Sequence, residues 1–243
     1  MPQAAAPLRL ALALAALLLV FAGFVALGNW QVQRRAWKLD LIERVDRRVH
    51  APAAAAPPRA RWAAIGRDDE YTHVCADGRF LHLHETLVQA VTERGPGNWV
   101  LTPLRTAGGE ILIVNRGFVP PEQRLPASRA AGQVAGTVHV CGLLRFSEPG
   151  GGFLRHNDPV AGRWYSRDVA AIAAARGLPV ADVAPYFIDA DATPNPGGWP
   201  LGGLTVVQFR NSHLSYALTW YGLALMTLVA MGVLLRHEWR RRG

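Results

Sequence analysis

Two kinds of hydrophobic pattern run along this chain. Residues 10–27 contain only Ala, Leu, Val, Phe and Gly, and residues 214–235 carry no charge. Each stretch is close to the ~20 apolar residues that cross a ~30 Å hydrocarbon core, so both predict membrane-spanning helices. Beyond the first, Trp37, Leu41, Val45 and Val49 recur every fourth residue with Ile42 beside them, a helical stripe. The first span is therefore expected to continue outward as one helix. At 1.5 Å per residue it would reach roughly 60 Å from residue 10 to residue 49. Pro52, Pro57 and Pro58 in APAAAAPP end it.

Between the spans the period changes to two. YTHVCADGRFLHLHETLVQAV places Asp77-Gly78 between alternating runs, which predicts a hairpin turning at that dipeptide. WVLTPLRTAGGEILIVNRGFVP predicts a second hairpin turning at Gly108-Gly109. TVHVCGLLRF, PYFIDAD and LTVVQF read as further strands. One helix interrupts them, VAAIAAAR, with Asp168 or Ser166 as its cap and Gly177 as its stop. The fold class expected is a membrane protein of α+β type, with two transmembrane helices flanking a mostly antiparallel β domain with one helix. Its boundaries are a tail at 1–9, span one at 10–29, a helical extension and Pro-rich linker at 30–58, and a β-rich domain at 59–210. Span two at 211–235 and a basic tail at 236–243 complete it.

Composition adds orientation. The 243 residues are 50% hydrophobic and 18% charged, with a net charge of +8. Four arginines fall in the closing RHEWRRRG. A basic block after an apolar run marks a cytoplasmic flank, so both termini are expected in the cytoplasm and the β domain outside the inner membrane. Arg34, Arg35 and Lys38 oppose that orientation, but long domains translocate largely regardless of charge. A cleaved signal peptide is the rival for span one. Its apolar run exceeds the usual ~7–15 residues, which favours an uncleaved span in a multi-pass protein of the lipid bilayer. No basic stripe interleaved with aromatics occurs mid-chain, which argues against nucleic acid.

Enzyme signatures are absent: there is no G-x-S-x-G, P-loop, H-E-x-x-H or C-x-x-C. Asp68-Asp69-Glu70 and Asp189-Ala190-Asp191 read as exposed loop acids. A non-enzymatic protein is expected. Cys75 and Cys141 sit in two H-x-C repeats, His73-Val74-Cys75 and His139-Val140-Cys141. In strands, residues two apart share a face. Separate thiols, a disulfide, or a metal site joined by His82 and His84 all remain open.

The entrance to span two is unusual. His213, Tyr216, Ala217, Trp220 and Ala224 fall at i, i+3, i+4, i+7 and i+11, one helical face. An ionisable group at the edge of a span is a functional candidate, although an aromatic belt explains the same residues. A histidine beside flat aromatics and small residues suits a planar apolar ligand containing iron. Asn29, Trp30, Gln31, Arg34 and Arg35 lie at the matching edge of span one, where Arg34 or Arg35 could pair with haem propionates.

Four stretches carry a family resemblance: Trp30, Gln31, Arg34 or Arg35, Trp37 and Lys38 after span one (with Leu41-Ile42 following), VNRGFVP, WYSRDV with PYFIDAD, and RNSHLSYALTWYGLA. In order and spacing they resemble the surfeit-locus family of cytochrome c oxidase assembly factors, over nearly the whole chain. The resemblance implies a two-span protein that helps assemble the catalytic subunit of a respiratory-chain oxidase. It implies binding of haem a, with His213 as the iron ligand, and transfer of that haem during insertion. Haem a synthase is a further partner it suggests. The alternative it leaves is a chaperone that steadies oxidase subunits without binding haem. The cysteines are no part of the family pattern.

Overall fold

The computed structural model describes residues 5–152, 154–205, 207 and 211–242. The chain divides into two compact units, Met1–Arg44 with Gln208–Gly243, and Val45–Val207.

The first unit is a pair of helices. Helix α1 (Ala5–Val49) is continuous from the apolar run into the amphipathic stripe, as the period predicts. It stops ahead of Pro52, whose ring and missing N–H forbid another turn. The second helix of the pair, His213–Arg242, is long and apolar enough to cross a membrane, as is α1. Helical structure continues through the basic residues 236–242.

The second unit is built from β1 (Ala54–Ala55), β2 (His73–Phe80), β3 (Thr86–Thr92), β4 (Gly95–Thr106), β5 (Ile111–Val119) and β6 (Val138–Phe146). The short strands β7 (Gly151–Gly152) and β8 (Arg155–His156), helix α2 (Val169–Ala175) and β9 (Val183–Ala190) follow; helix His213–Arg242 is α3. The main sheet runs β1-β2-β6-β9-β5-β4-β3, and β2 also pairs with β4. That extra pairing closes β2, β6, β9, β5 and β4 into a ring. Closure leaves the two outer strands, β1 and β3, at the margins of the ring.

Period-two patterning sorts the core into two layers. Val74, Ala76, Leu104, Leu112, Val114, Leu144, Ala184, Tyr186 and Ile188 share one cluster, drawn from all five ring strands. Leu101, Ile111, Ile113 and Phe187, on the opposite strand faces, pack with Val88, Trp164 and the α2 residues Val169, Ile172 and Ala173. Buried on both faces, β5 reads as an unbroken apolar run, ILIV, where a half-exposed strand would alternate. Helix α2 begins as expected, with the Asp168 carboxylate accepting from the Ala171 N–H. Gly177 follows it at φ +65°, the left-handed stop.

The sheet is mostly antiparallel, as expected, but mixed: β1–β2 and β5–β9 are parallel. The second of these pairs joins strands separated by residues 120–182, a crossover that local pattern cannot reveal. Asp77-Gly78 is not a turn. Strand β2 runs straight through it, and Gly78 pairs with Val138 on β6 and Thr106 on β4. A Cβ there would lie 2.5 Å from the Arg105 carbonyl oxygen, so glycine serves close strand approach at the seam. The Gly108-Gly109 turn does form, joining β4 to β5. The strand expected at LTVVQF is absent at residues 204, 205 and 207, while 206, 208 and 209 lie outside the described residues. Finally, Asp189 is no loop acid. It sits in β9, 3% exposed.

Asp189 accepts from Asn115 Nδ2 at 2.7 Å, Arg167 Nη1 at 3.1 Å and Arg145 Nη1 at 3.3 Å. Arg167 also grips Glu148 and lies over the Phe187 ring. Burial opposes ionisation of Glu148, but the hydrogen bonds and charge of Arg167 together outweigh it and hold the carboxyl below its ordinary pKa. A depressed folded pKa gives stability that is present above the unfolded value and lost as pH falls through the folded one. Asp189→Asn should cost about 3–5 kcal/mol, because two half-buried guanidinium groups lose their shared counter-charge. The melting temperature of the detergent-solubilised chain should fall accordingly. Glu148→Gln should flatten the acid limb of stability against pH, and the neutral-pH cost should be smaller because that side chain is 37% exposed.

Candidate functional site

The helix pair places His213 at the first turn of α3, with its Nδ1 2.7 Å from Gln31 Oε1 on α1. The amide oxygen accepts, so Nδ1 carries the proton. In neutral imidazole the Nε2 lone pair is then free to bind a metal. Gln31 is itself buried, which fixes the orienting group.

Below this bond the helices meet through small residues and rings. Ala217 and Ala224 are buried. The rings of Phe24 and Trp220 stack at 5.8 Å between centroids, 27° apart. Tyr221 donates its hydroxyl to Asn29 Oδ1 at 2.8 Å, and its ring lies against Gly28. A Cβ on Gly28 would fall 2.5 Å from Tyr221 Cε1. Small residues that admit a neighbour closely are what membrane helices use in place of a hydrophobic driving force.

The face inferred from helical spacing is therefore divided. Ala217, Trp220 and Ala224 are engaged with α1. Tyr216 stands at the margin, 57% exposed. Of the two arginines, Arg34 lies over the Trp37 ring at 4.1 Å from its centroid. Stacking occupies its guanidinium face and leaves its N–H edges available. Arg35 is half-buried and makes no ion pair among the described residues. His213 and Gln31 are brought together; the structure joins neither arginine to them. Sequence reasoning places Gln31 at the right edge of span one without giving it a role, since its meaning depends on a partner 182 positions away.

The donor set suits haem. One imidazole offers a free nitrogen, an exposed aromatic ring lies one turn on, and α1 and α3 present apolar side chains such as Leu19, Leu27, Leu214 and Leu218 to the outside. A single protein ligand binds iron less firmly than two.

The H-x-C repeats do meet. Strands β2 and β6 are antiparallel neighbours with Cys75 opposite Cys141, and the two form a disulfide. Separate thiols are thereby excluded. His82 and His84 are elsewhere, bonded to the Val134 and Arg176 carbonyl oxygens. Gly117 of NRGFVP takes φ +124°, and a Cβ there would lie 2.0 Å from the Leu201 oxygen. It admits a backbone approach, sealed by the paired bonds between Phe118 and Leu201.

Comparison with known proteins gives a consistent result. The model described as the SURF1 family matches residues 18–225. A SURF1-like protein of Monosiga brevicollis is 41% identical over 231 residues, covering 89% of this chain and 85% of that protein. Surfeit locus protein 1 of Mus musculus is 40% identical, covering 87% and 72%, and that of Homo sapiens 37% identical, covering 87% and 73%.

The packing carries its own test. Gly28→Leu should drive Tyr221 off α1 and lower the melting temperature of the detergent-solubilised chain. Tyr221→Phe removes only the Asn29 hydrogen bond and should cost about 0.6 kcal/mol. Equal effects of the two changes would show that the close approach at Gly28 contributes nothing.

Proposed function

Because the chain belongs to the SURF1 family, we propose that it serves the assembly of a haem–copper terminal oxidase, holding haem a as cargo for the catalytic subunit. The observation that carries the reading is the His213–Gln31 hydrogen bond, which leaves imidazole Nε2 available at the edge of an apolar helix pair. Haem a has a farnesyl tail and partitions into lipid, so a site on the outer flank of two membrane helices gives it lateral entry and exit.

Each residue has a role on this reading. His213 is the axial ligand, and Gln31 fixes its tautomer. Tyr216 covers one side of the macrocycle. Trp220, stacked on Phe24, holds α3 against α1 and supports His213 rather than lying flat on the haem. Arg34 or Arg35 meets the propionates through charge-assisted bonds. The β domain faces the oxidase subunit or haem a synthase. The Cys75–Cys141 disulfide supports an extracytoplasmic place for that domain, since disulfides persist in oxidising compartments. Both termini then lie in the cytoplasm.

A second reading, a scaffold without haem, is favoured by one observation: Ala217, Trp220 and Ala224 are already engaged in helix packing. Coexpression with the haem a synthesis enzymes separates the two. Wild-type protein purified in mild detergent should show an a-type visible band, and His213→Ala should lose most of it. Gln31→Leu should weaken haem retention by about 10–100-fold, the usual cost of removing a group that orients a metal ligand. Equal haem in wild type and His213→Ala would move the ligand elsewhere. A colourless wild type that still captures the catalytic subunit would leave the scaffold.

A further inference from the structure

A second histidine site lies in the β domain, independent of the haem reading. Register places Cys75 opposite Cys141 and Asp77 opposite His139. Residues two apart in a strand share a face, so all four side chains project from one side of the β2–β6 ladder. His139 Nδ1 lies 2.8 Å from Asp77 Oδ1, and its Nε2 lies 3.2 Å from Cys141 Sγ. The ligand atoms of Cys75, His139 and Cys141 fall within 4.8 Å of one another.

A structural disulfide needs none of this. It requires only two opposed cysteines. The His139–Asp77 pair is no stabilising device either, because its side chains are 63% and 72% exposed and exposed pairs contribute little. What the pair does is set a tautomer. The carboxylate accepts from Nδ1–H, so the neutral ring turns its Nε2 lone pair toward sulfur. A disulfide sulfur carries no hydrogen to offer that lone pair. A carboxylate accepting from the far ring N–H is the arrangement by which proteins orient a metal-binding histidine.

We propose that Cys75, Cys141 and His139 form a redox-gated site for a soft monovalent cation, Cu(I), closed by the disulfide and opened by its reduction. Two thiolates and one imidazole make a three-coordinate set of two sulfurs and one nitrogen. Thiolates select Cu(I), zinc or iron–sulfur clusters over harder ions. Zinc sites of protein ligands alone are four-coordinate, and no fourth donor joins the cluster among the described residues. His139 and Cys141 also border a pocket of about 260 Å³ that Phe80, Arg116, Asp191 and Asn195 help to line.

The opening step balances with a dithiol as reductant. The donor's two thiols supply two electrons and two protons. The Cys75–Cys141 bond breaks, both sulfurs become thiols, and the donor leaves as its own disulfide. Cation binding then displaces the two protons. Metal–ligand bonds of roughly 2.0–2.3 Å set donors about 3.5–4 Å apart, a spacing that side-chain rotation reaches once the sulfurs are free. Asp77 is a positioning residue, acting through His139.

The test uses the full chain in detergent, reduced anaerobically with a dithiol that is removed by desalting before the metal is added. Cu(I) is supplied from a coloured chelator complex, so that transfer is read as loss of chelator absorbance. Reduced wild type should take one equivalent, while the oxidised protein and the Cys75→Ser/Cys141→Ser variant should take none. His139→Ala should weaken binding by about 10–100-fold and Asp77→Asn by a smaller factor in the same direction. Both residues are exposed, and an unchanged circular-dichroism spectrum confirms folding. Binding indifferent to His139 would overturn the site, as would a reduced protein that takes no Cu(I). Tighter capture of Zn(II) than of Cu(I) would overturn the choice of cation.

Discussion

Everything in the β unit depends on one strand changing partners. Strand β2 pairs with β6 over residues 73–78 and with β4 over residues 78–80, so a single residue, Gly78, stands in both ladders. Two neighbouring backbones can approach there only because Gly78 has no Cβ to meet the Arg105 carbonyl. The change of partner closes the ring. A closed ring has an inside, and the inside is where Val74, Leu104, Tyr186 and Ile188 find their shared core. The same closure fixes the β2–β6 register. It thereby decides that Cys75 meets Cys141 and Asp77 meets His139 rather than their neighbours, since a slip of β2 by one residue would send Cys75 and Asp77 to the other face.

The helix unit answers a different constraint. Both helices are long and apolar enough to cross a membrane; in lipid, where there is little to gain from apolar contact, two such helices would associate through close packing and through polar groups with no better partner. Gly28, Ala217 and Ala224 supply the first. Gln31 with His213, and Asn29 with Tyr221, supply the second. The polar pairs lie toward one end of the contact, where an ionisable residue costs less than at the bilayer centre. The contacts described join Phe24, Gly28, Asn29 and Gln31 of α1 to the first turns of α3.

How much of this is legible in the sequence follows from the reach of each signal. The long helix, the Gly108-Gly109 hairpin and the Asp168 cap are local, and composition over a few residues predicts them. Asp77-Gly78 carries the same local signal as a turn and is not one, because its glycine answers a strand far off in sequence. Asp189 reads as a loop acid because nothing nearby in the chain announces Asn115, Arg145 and Arg167. The parallel contact between β5 and β9 spans a long crossover and leaves no periodic trace. At the candidate site, His213 is visible from helical spacing. The division of its face is not, because spacing gives which residues share a side and not how much of that side a neighbour covers.

His213 and His139 use one device to different ends. Each has Nδ1 tied to a side-chain oxygen and Nε2 left over. For His139 the oxygen belongs to a carboxylate, which raises the basicity of the ring and strengthens a bond to metal. For His213 it belongs to a neutral amide, which orients the ring without adding charge behind it. A carboxylate at Gln31 would place an uncompensated anion at the edge of a membrane, at a cost the amide avoids. On the proposed haem reading it would also tighten the grip on iron. A carrier of that kind would be better served by an orienting amide, which keeps the ligand aimed while leaving the bond weak enough to break.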